Sequence, residues 1–462
     1  MNNGRTQKSA WLSYSNDKTE KLEKLCCDYM DFISECKTER ESVKAGIERA
    51  KAHGYRNIKD LIARGEKLKS GDKVYAVNMD KALVLFQLGS DALEDGMNIL
   101  GAHIDTCRLD VKQNPLYEDG GMAYFDTHYY GGIKKYQWVT LPLALHGVVI
   151  KKDGSKQEIN IGEKPEDPVF CVSDLLIHLA QEQMKKDAAT VIEGEALDIL
   201  IANRPLDGKD KNAVKENVLK LLKNEYGLEE DDFLSAELCL VPAGRARSMG
   251  FDQSMILGYG HDDRVCAFTS LQAILENDTP KRSCCCLLVD KEEIGSVGAT
   301  GMRSRFFENT CAELLSLCGY NQELSLRRML ASSTMLSSDV SSAFDPLYAQ
   351  AFDKKNVAYT GRGMVFNKFT GARGKSGSND ANAEFIAKLR KDLDDAGVNY
   401  QFSELGKVDL GGGGTIAYIM SLYGMQVVDC GVPVLSMHAP WEVVSKADVY
   451  EAYLGYKTFL KS

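Results

Sequence analysis

The sequence predicts an α/β protein with a smaller, largely β domain inserted into the larger one. Three observations carry this. Short apolar runs, such as 97–103 and 284–289, stop at charged or glycine-rich segments, the pattern of buried strands. Segments with apolar residues at helical spacing alternate with them, as at Leu22, Leu25, Tyr29, Phe32 and Ile33. Between residues 108 and 248 the character changes to strand-like pieces, paired glycines and a charged stretch, and carboxylates and histidines at strand ends resume only after it.

The bulk properties exclude several classes. With 462 residues, 44% hydrophobic and 26% charged, the chain has material for one large or two ordinary globular domains. A net charge of -10 without a dense basic tract argues against nucleic acid or an anionic membrane as partner. No stretch approaches the ~20 apolar residues that cross a bilayer. Residues 1–15 are polar and lack an apolar signal-peptide core. The thirteen cysteines are odd in number, adjacent in places, and contain no CxxC pair. They fit reduced thiols in a cytoplasmic protein rather than bridges or a cysteine-built zinc cluster.

Taken in order, residues 17–70 predict helices and 73–88 a pair of strands. Residues 97–103 form a strand that ends at His103-Ile104-Asp105, with His103 and Asp105 on one side of an extended segment. A carboxylate placed there can hold the second ring nitrogen of a ligating histidine. Inside 108–248, residues 138–150 are strand-like, 169–183 suggest a helix or strand–helix unit, and 214–226 a further helix. Gly258-Tyr259-Gly260-His261-Asp262-Asp263-Arg264 then opens a helix, where either aspartate could cap or serve as a bridging metal ligand.

The strand 284–289 leads into Asp290-Lys291-Glu292-Glu293-Ile294-Gly295-Ser296. Adjacent residues of an extended segment point to opposite sides. One glutamate could therefore bind a metal while its neighbour takes a proton from an activated water. The spacing of Gly295, Gly298 and Gly301 does not match a phosphate cradle, so these glycines read as a tight turn. Asp339 lies in a small-residue loop. Residues 362–379 carry Arg373 and Lys375 among glycines and serines, a composition suited to close approach of a ligand. Gly412 and Gly413 lie in Leu-Gly-Gly-Gly-Gly-Thr, whose open amides could bind substrate. A last apolar run ends near His438, before Pro440.

Two histidines and several carboxylates thus fall at strand exits, where open α/β sheets gather their ligands. Ala102-His103-Ile104-Asp105, Asp262-Asp263-Arg264, the 290–296 segment, Ser338-Asp339 and Ser436-Met437-His438, in this order over most of the chain, resemble the aspartyl aminopeptidases, dinuclear zinc exopeptidases. The resemblance implies a zinc-exopeptidase-like catalytic domain, a central mixed sheet between helices, over 1–107 and 249–462. It implies a dimerisation domain over 108–248. His103 and Asp339 would bind one ion, Glu293 and His438 the other, and Asp262 would bridge them. Glu292 would be the general base, and Asp105 would orient His103. The cofactor implied is two divalent ions per subunit, Zn2+ first, with Co2+ or Mn2+ accepted by the same ligands.

The activity implied is removal of the N-terminal residue from peptides, with preference for Asp or Glu through Arg373 and Lys375. The partners implied are peptides and further copies of the chain, in a dodecamer. In one respect the chain departs from the family: members often place a partner-subunit histidine near the substrate, and the matching segment here has Asp174 at that position. Alternative readings are a broader-specificity aminopeptidase, another di-metal amide hydrolase of this fold, or a silent scaffold. The last is disfavoured by the presence of Glu292 and all five ligand positions.

Overall fold

The computed structural model describes residues 8–209 and 211–462, so residues 1–7 of the polar N-terminal stretch lie outside the described residues. The chain divides into two compact units. One comprises the chain up to Asp105, Ala246–Met437 and Glu442–Ser462; the other comprises Thr106–Arg245 and His438–Trp441.

The larger unit is built on a nine-stranded mixed sheet. Four strands lie parallel side by side at its middle, in the order Ser283–Val289, Met97–His103, Thr334–Ser338 and Gln426–Gly431. Ala82–Gln87 pairs antiparallel with the first of these and Met364–Asn367 with the last. The middle strands are buried along their length because both faces are covered. Cys284, Cys286 and Leu288 enter one apolar cluster, while Cys285, Leu287 and Val289 enter the other. This alternation follows from the two-residue period of a strand.

The first cluster packs the sheet against helices Asn16–Glu35, His261–Leu275 and Lys446–Leu460. The predicted N-terminal helices form as Asn16–Glu35, Glu39–Ala52 and Ile58–Arg64. The second opens with a capping box: the Thr38 hydroxyl accepts the Glu41 N–H, and Glu41 in turn accepts the Thr38 N–H. The second apolar cluster covers the opposite face with Phe306–Leu317 and Glu323–Ser332. A five-stranded sheet in the same unit pairs Met255–Gly258 with Glu442–Ser445, register Gly258 to Glu442.

The smaller unit holds a six-stranded antiparallel sheet. Its strand order is Lys156–Ile161, Leu143–Ile150, Ala236–Pro242, Arg108–Asp119, Met122–Tyr130 and Ile199–Ala202. Helix Ala213–Tyr226 forms as expected. The helix or strand–helix unit expected over 169–183 does not. Phe170 and Cys171 make isolated bridges, turns follow, and a single 3-10 turn spans Gln183–Lys185. The apolar residues here are contiguous rather than striped, and Leu175, Leu176, Ile177 and Leu179 are all exposed. The Asp174 carboxylate accepts from the Leu175 N–H and the Gln183 amide, a local bonding that competes with a helix.

Candidate metal centre

The C-terminal ends of the parallel strands bring the site residues of the larger unit together. His103 closes one strand and pairs in register with Val289 on its neighbour. The chain leaving Val289 turns at Lys291, whose φ is 69°, into a short 3-10 segment Glu292–Ile294. Asp339 follows the strand Thr334–Ser338, and its N–H donates to the Cys430 carbonyl of the next strand at 2.8 Å.

His103 is the pivot. Its Nδ1 lies 3.0 Å from the Asp105 carbonyl and 3.3 Å from the Asp105 carboxylate. A carbonyl oxygen only accepts, so Nδ1 carries the proton. In the neutral ring Nε2 is then a bare lone pair. It faces Asp262 at 3.2 Å, Asp339 at 3.9 Å and Glu292 at 4.0 Å. Ligand atoms of His103, Asp262 and Glu293 lie within 4.8 Å of one another, and so do those of His103, Glu292 and Asp339.

The Asp105 carboxylate does more than face His103. One oxygen accepts the Glu292 N–H at 3.1 Å and the other the Glu293 N–H at 3.2 Å. Fully buried, it ties the glutamate turn to the histidine strand. Two supporting contacts escape a reading of the sequence. Asp263, the second aspartate of its pair, accepts the His103 N–H at 3.3 Å, and Glu442 accepts the Asp262 N–H at 3.0 Å. Neither aspartate caps the helix. Gly260 holds the N-cap position at φ 74°, and Asp262 has extended backbone. The buried Arg264 folds back over this turn, donating to the Gly260 and Tyr259 carbonyls at 3.1 and 2.8 Å and to that of Cys36. A Cβ at residue 260 would fall 1.7 Å from its guanidinium, so only glycine fits there.

The electrostatics favour a cation. Burial alone would lower the His103 pKa, but the Asp105 and Asp262 carboxyls raise it well above the ordinary imidazole value. Burial, together with the charges of Glu292 and Asp263, pushes Asp339 well above the carboxylate range. Carboxylates crowded this closely out of water need a counter-charge. The donor set of imidazole nitrogen and carboxylate oxygens suits zinc.

The remaining predicted residues stand as follows. His438 groups with the smaller unit, and its Nδ1 lies 2.9 Å from the Gly132 carbonyl, so that nitrogen carries the proton in the neutral ring. Arg373 and Lys375 lie on an exposed loop with positive φ. Lys375 pairs with Asp380 at 3.1 Å and sits 3.8 Å over the Phe369 ring. Gly412, at φ 107°, packs backbone to backbone on Gly371 and Ala372; Gly413 is half-buried beside it.

Parallel strands at the middle of a mixed sheet that end in clustered imidazole and carboxylates fit a metal-dependent hydrolase of the α/β class. The family model of aminopeptidase I zinc metalloproteases (M18) matches residues 32–460, and the chain belongs to that family. It is a zinc metallo-aminopeptidase, a hydrolase of the exopeptidase type. A relative from Clostridium acetobutylicum, described as "Probable M18 family aminopeptidase 1", is 59% identical over 456 residues, 98% of each chain. A crystal structure of aminopeptidase I from the same organism superposes with a TM-score of 0.93 at 56% identity, covering 99% of this chain and 100% of that one. An M18 aminopeptidase structure from Thermotoga maritima gives 0.94 at 43% identity, with the same coverage.

Proposed function

We propose that the chain releases the N-terminal residue of peptides with two zinc ions, and that it favours Asp or Glu at that position. His103 and Asp339 would hold one ion, Glu293 and His438 the other, and Asp262 would lie between them. The observation that carries this reading is the bare Nε2 of His103 turned toward three carboxylates. The His438 assignment rests on the family resemblance. When bound, zinc lowers the pKa of a water and polarises the scissile carbonyl. Glu292 takes the proton of the attacking water and hands it to the leaving amine. Asp105 holds the glutamate turn and the His103 ring in one arrangement. For the acidic preference, Arg373 is the better candidate, because Lys375 already has Asp380 and Phe369 as neighbours.

Self-association is part of the proposal. In the smaller unit Leu176 is 58% exposed, Ile177 64% and Leu179 70%, and contiguous apolar exposure of this kind marks an interaction surface. Thirteen free thiols suit a reducing, cytoplasmic compartment. Among the described residues no helix is long and apolar enough to cross a membrane.

The test is turnover of aminoacyl chromogenic substrates, with free and blocked amines, after chelation and stepwise addition of zinc. The expected result is loss on chelation, recovery at two ions per chain, no turnover of blocked substrates, and faster turnover of Asp than of Leu. Full recovery at one ion would overturn the two-ion reading. Faster Leu turnover would leave a broad-specificity aminopeptidase.

A further inference from the structure

Several buried acids of the larger unit lie outside the metal cluster, Asp429 among them. Asp429 sits at the middle of strand Gln426–Gly431, paired in register with Ser337 on one side and Asn367 on the other. Only 1% of it is exposed. A carboxyl group in the centre of a sheet is costly unless its oxygens are used. One of them is. The Thr415 hydroxyl donates to Oδ1, and the same hydroxyl accepts the Ala417 N–H at 3.2 Å. Oδ2 is buried with no hydrogen-bond partner among the described residues. Burial pushes the carboxyl up to about 7, while Thr415 and the side chain of Asn379 pull the other way.

Thr415 and Asn379 belong to different loops. Thr415 ends the run of four glycines. Asn379 closes the glycine- and serine-rich loop that carries Arg373 and Lys375, and its amide also donates to the Val427 carbonyl of the Asp429 strand at 2.7 Å. The two loops approach closely through backbone. A Cβ on Gly412 would meet the Gly371 carbonyl oxygen at 2.3 Å and the Ala372 Cα at 2.5 Å. Glycine-rich backbone has little intrinsic preference for one conformation. An anchor outside the loops must therefore select it, and the strand Gln426–Gly431 supplies it: Thr415 bonds the Asp429 carboxyl and Asn379 the Val427 carbonyl.

We propose that Asp429 is a positioning residue: through Thr415 it holds the run of four glycines, and with it the loop that packs on Gly412, in the arrangement that receives the N-terminal residue of the peptide. This rests on the aminopeptidase reading, in which those loops approach the substrate. It assigns Asp429 a role in binding rather than in the chemical step, since it contacts no reacting atom.

The test combines kinetics with amide hydrogen exchange on the zinc-loaded enzyme. Thr415→Val removes only the hydroxyl. It is expected to raise KM by about tenfold, the scale of one hydrogen bond to a charged group, with little change in kcat. Exchange should accelerate in residues 371–379 and 411–416, with zinc content unchanged. Thr415→Ser restores the hydroxyl and should restore both readings. Asp429→Asn keeps an acceptor for Thr415 and should fall between wild type and Thr415→Val. A folded Thr415→Val with wild-type KM and wild-type loop exchange would overturn the proposal. So would faster exchange throughout the chain with no change confined to the loops, the mark of a merely structural role. Absence of wild-type turnover on every N-terminally free substrate would instead defeat the aminopeptidase reading, and loop exchange would still decide whether this carboxyl anchors the loops.

Discussion

The strand-end cluster and the glycine-rich loops belong to the same unit, yet they hold their charges in opposite ways. His103 and Asp262 are 2% and 5% exposed at their side chains, and each has its own backbone N–H fixed by a carboxylate, Asp263 and Glu442 respectively. Lys375, by contrast, is 46% exposed and takes its partner from five residues away. The first arrangement fixes donor positions through sheet register and a second layer of hydrogen bonds. The second leaves the cation free to trade a local partner for a ligand. Chemistry that needs fixed geometry sits in the first region, and selectivity that can be retuned residue by residue sits in the second.

The sharpest way to break the contrast is at Glu292, the member of the cluster assigned to proton transfer. Glu292→Gln keeps the size and the backbone tie to Asp105 but removes the base. It should lower kcat ~10²–10⁴-fold with the metal content intact. Elemental analysis and kcat on the same preparation decide this. Near-normal turnover would return Glu292 to the ligands and reassign the base.

Asp105 tests the second layer. Its carboxylate accepts both glutamate N–H groups and faces His103, so Asp105→Ala frees the turn and the ring together. Outer-layer partners of this kind are worth ~10–100-fold in metal affinity. The expected outcome is weaker zinc binding in a competition titration, with activity recovered at high zinc. Unchanged affinity would mean that register alone positions the ligands.

Much of this contrast was legible in the sequence, for one physical reason. The buried strands are mostly apolar, so a cluster of polar residues after such a run marks the strand end, and His103, Glu292, Glu293 and Asp339 each lie at such a point. The supporting partners were not legible. Glu442 reaches Asp262 only because strands Met255–Gly258 and Glu442–Ser445 pair, bringing together residues 180 apart in the chain. The aspartate pair read equally well as a cap or a ligand, since the back-folded Arg264 that makes glycine the N-cap has no signature in residue spacing. The 169–183 segment misled for the converse reason. Its apolar residues suggested a packed element, whereas Leu176, Ile177 and Leu179 are exposed.

That segment extends the comparison to the smaller unit, where Leu175, Leu176, Ile177 and Leu179 expose apolar side chains. Leu176→Asp combined with Ile177→Asp places two carboxylates in it without touching a core position. If a second copy covers this face, the double variant should shift the particle to a smaller mass by light scattering, with the fold retained by circular dichroism. An unchanged mass would move the interface elsewhere.

The smallest expected effect separates the two loop cations. Lys375 is held by Asp380 and by the Phe369 ring, so recruiting it to a substrate carboxylate requires breaking contacts it already makes. Exposed ion pairs contribute little, ~0–1 kcal/mol, so the exchange is close to balanced and the gain from Lys375 is small. Arg373 can offer two parallel hydrogen bonds to a carboxylate, which a lysine cannot. Arg373→Ala should therefore narrow the Asp-over-Leu ratio of kcat/KM by about tenfold, the scale of one lost charge-assisted bond. Lys375→Ala should narrow it by no more than about fivefold, within the range of an exposed pair. Asp380→Ala, which frees Lys375, should widen the ratio if the ammonium can reach the substrate and leave it unchanged if it cannot. Measured on one pair of substrates, these three ratios assign the acidic preference to Arg373, to Lys375 or to neither. A larger loss at Lys375 than at Arg373 would reverse the assignment.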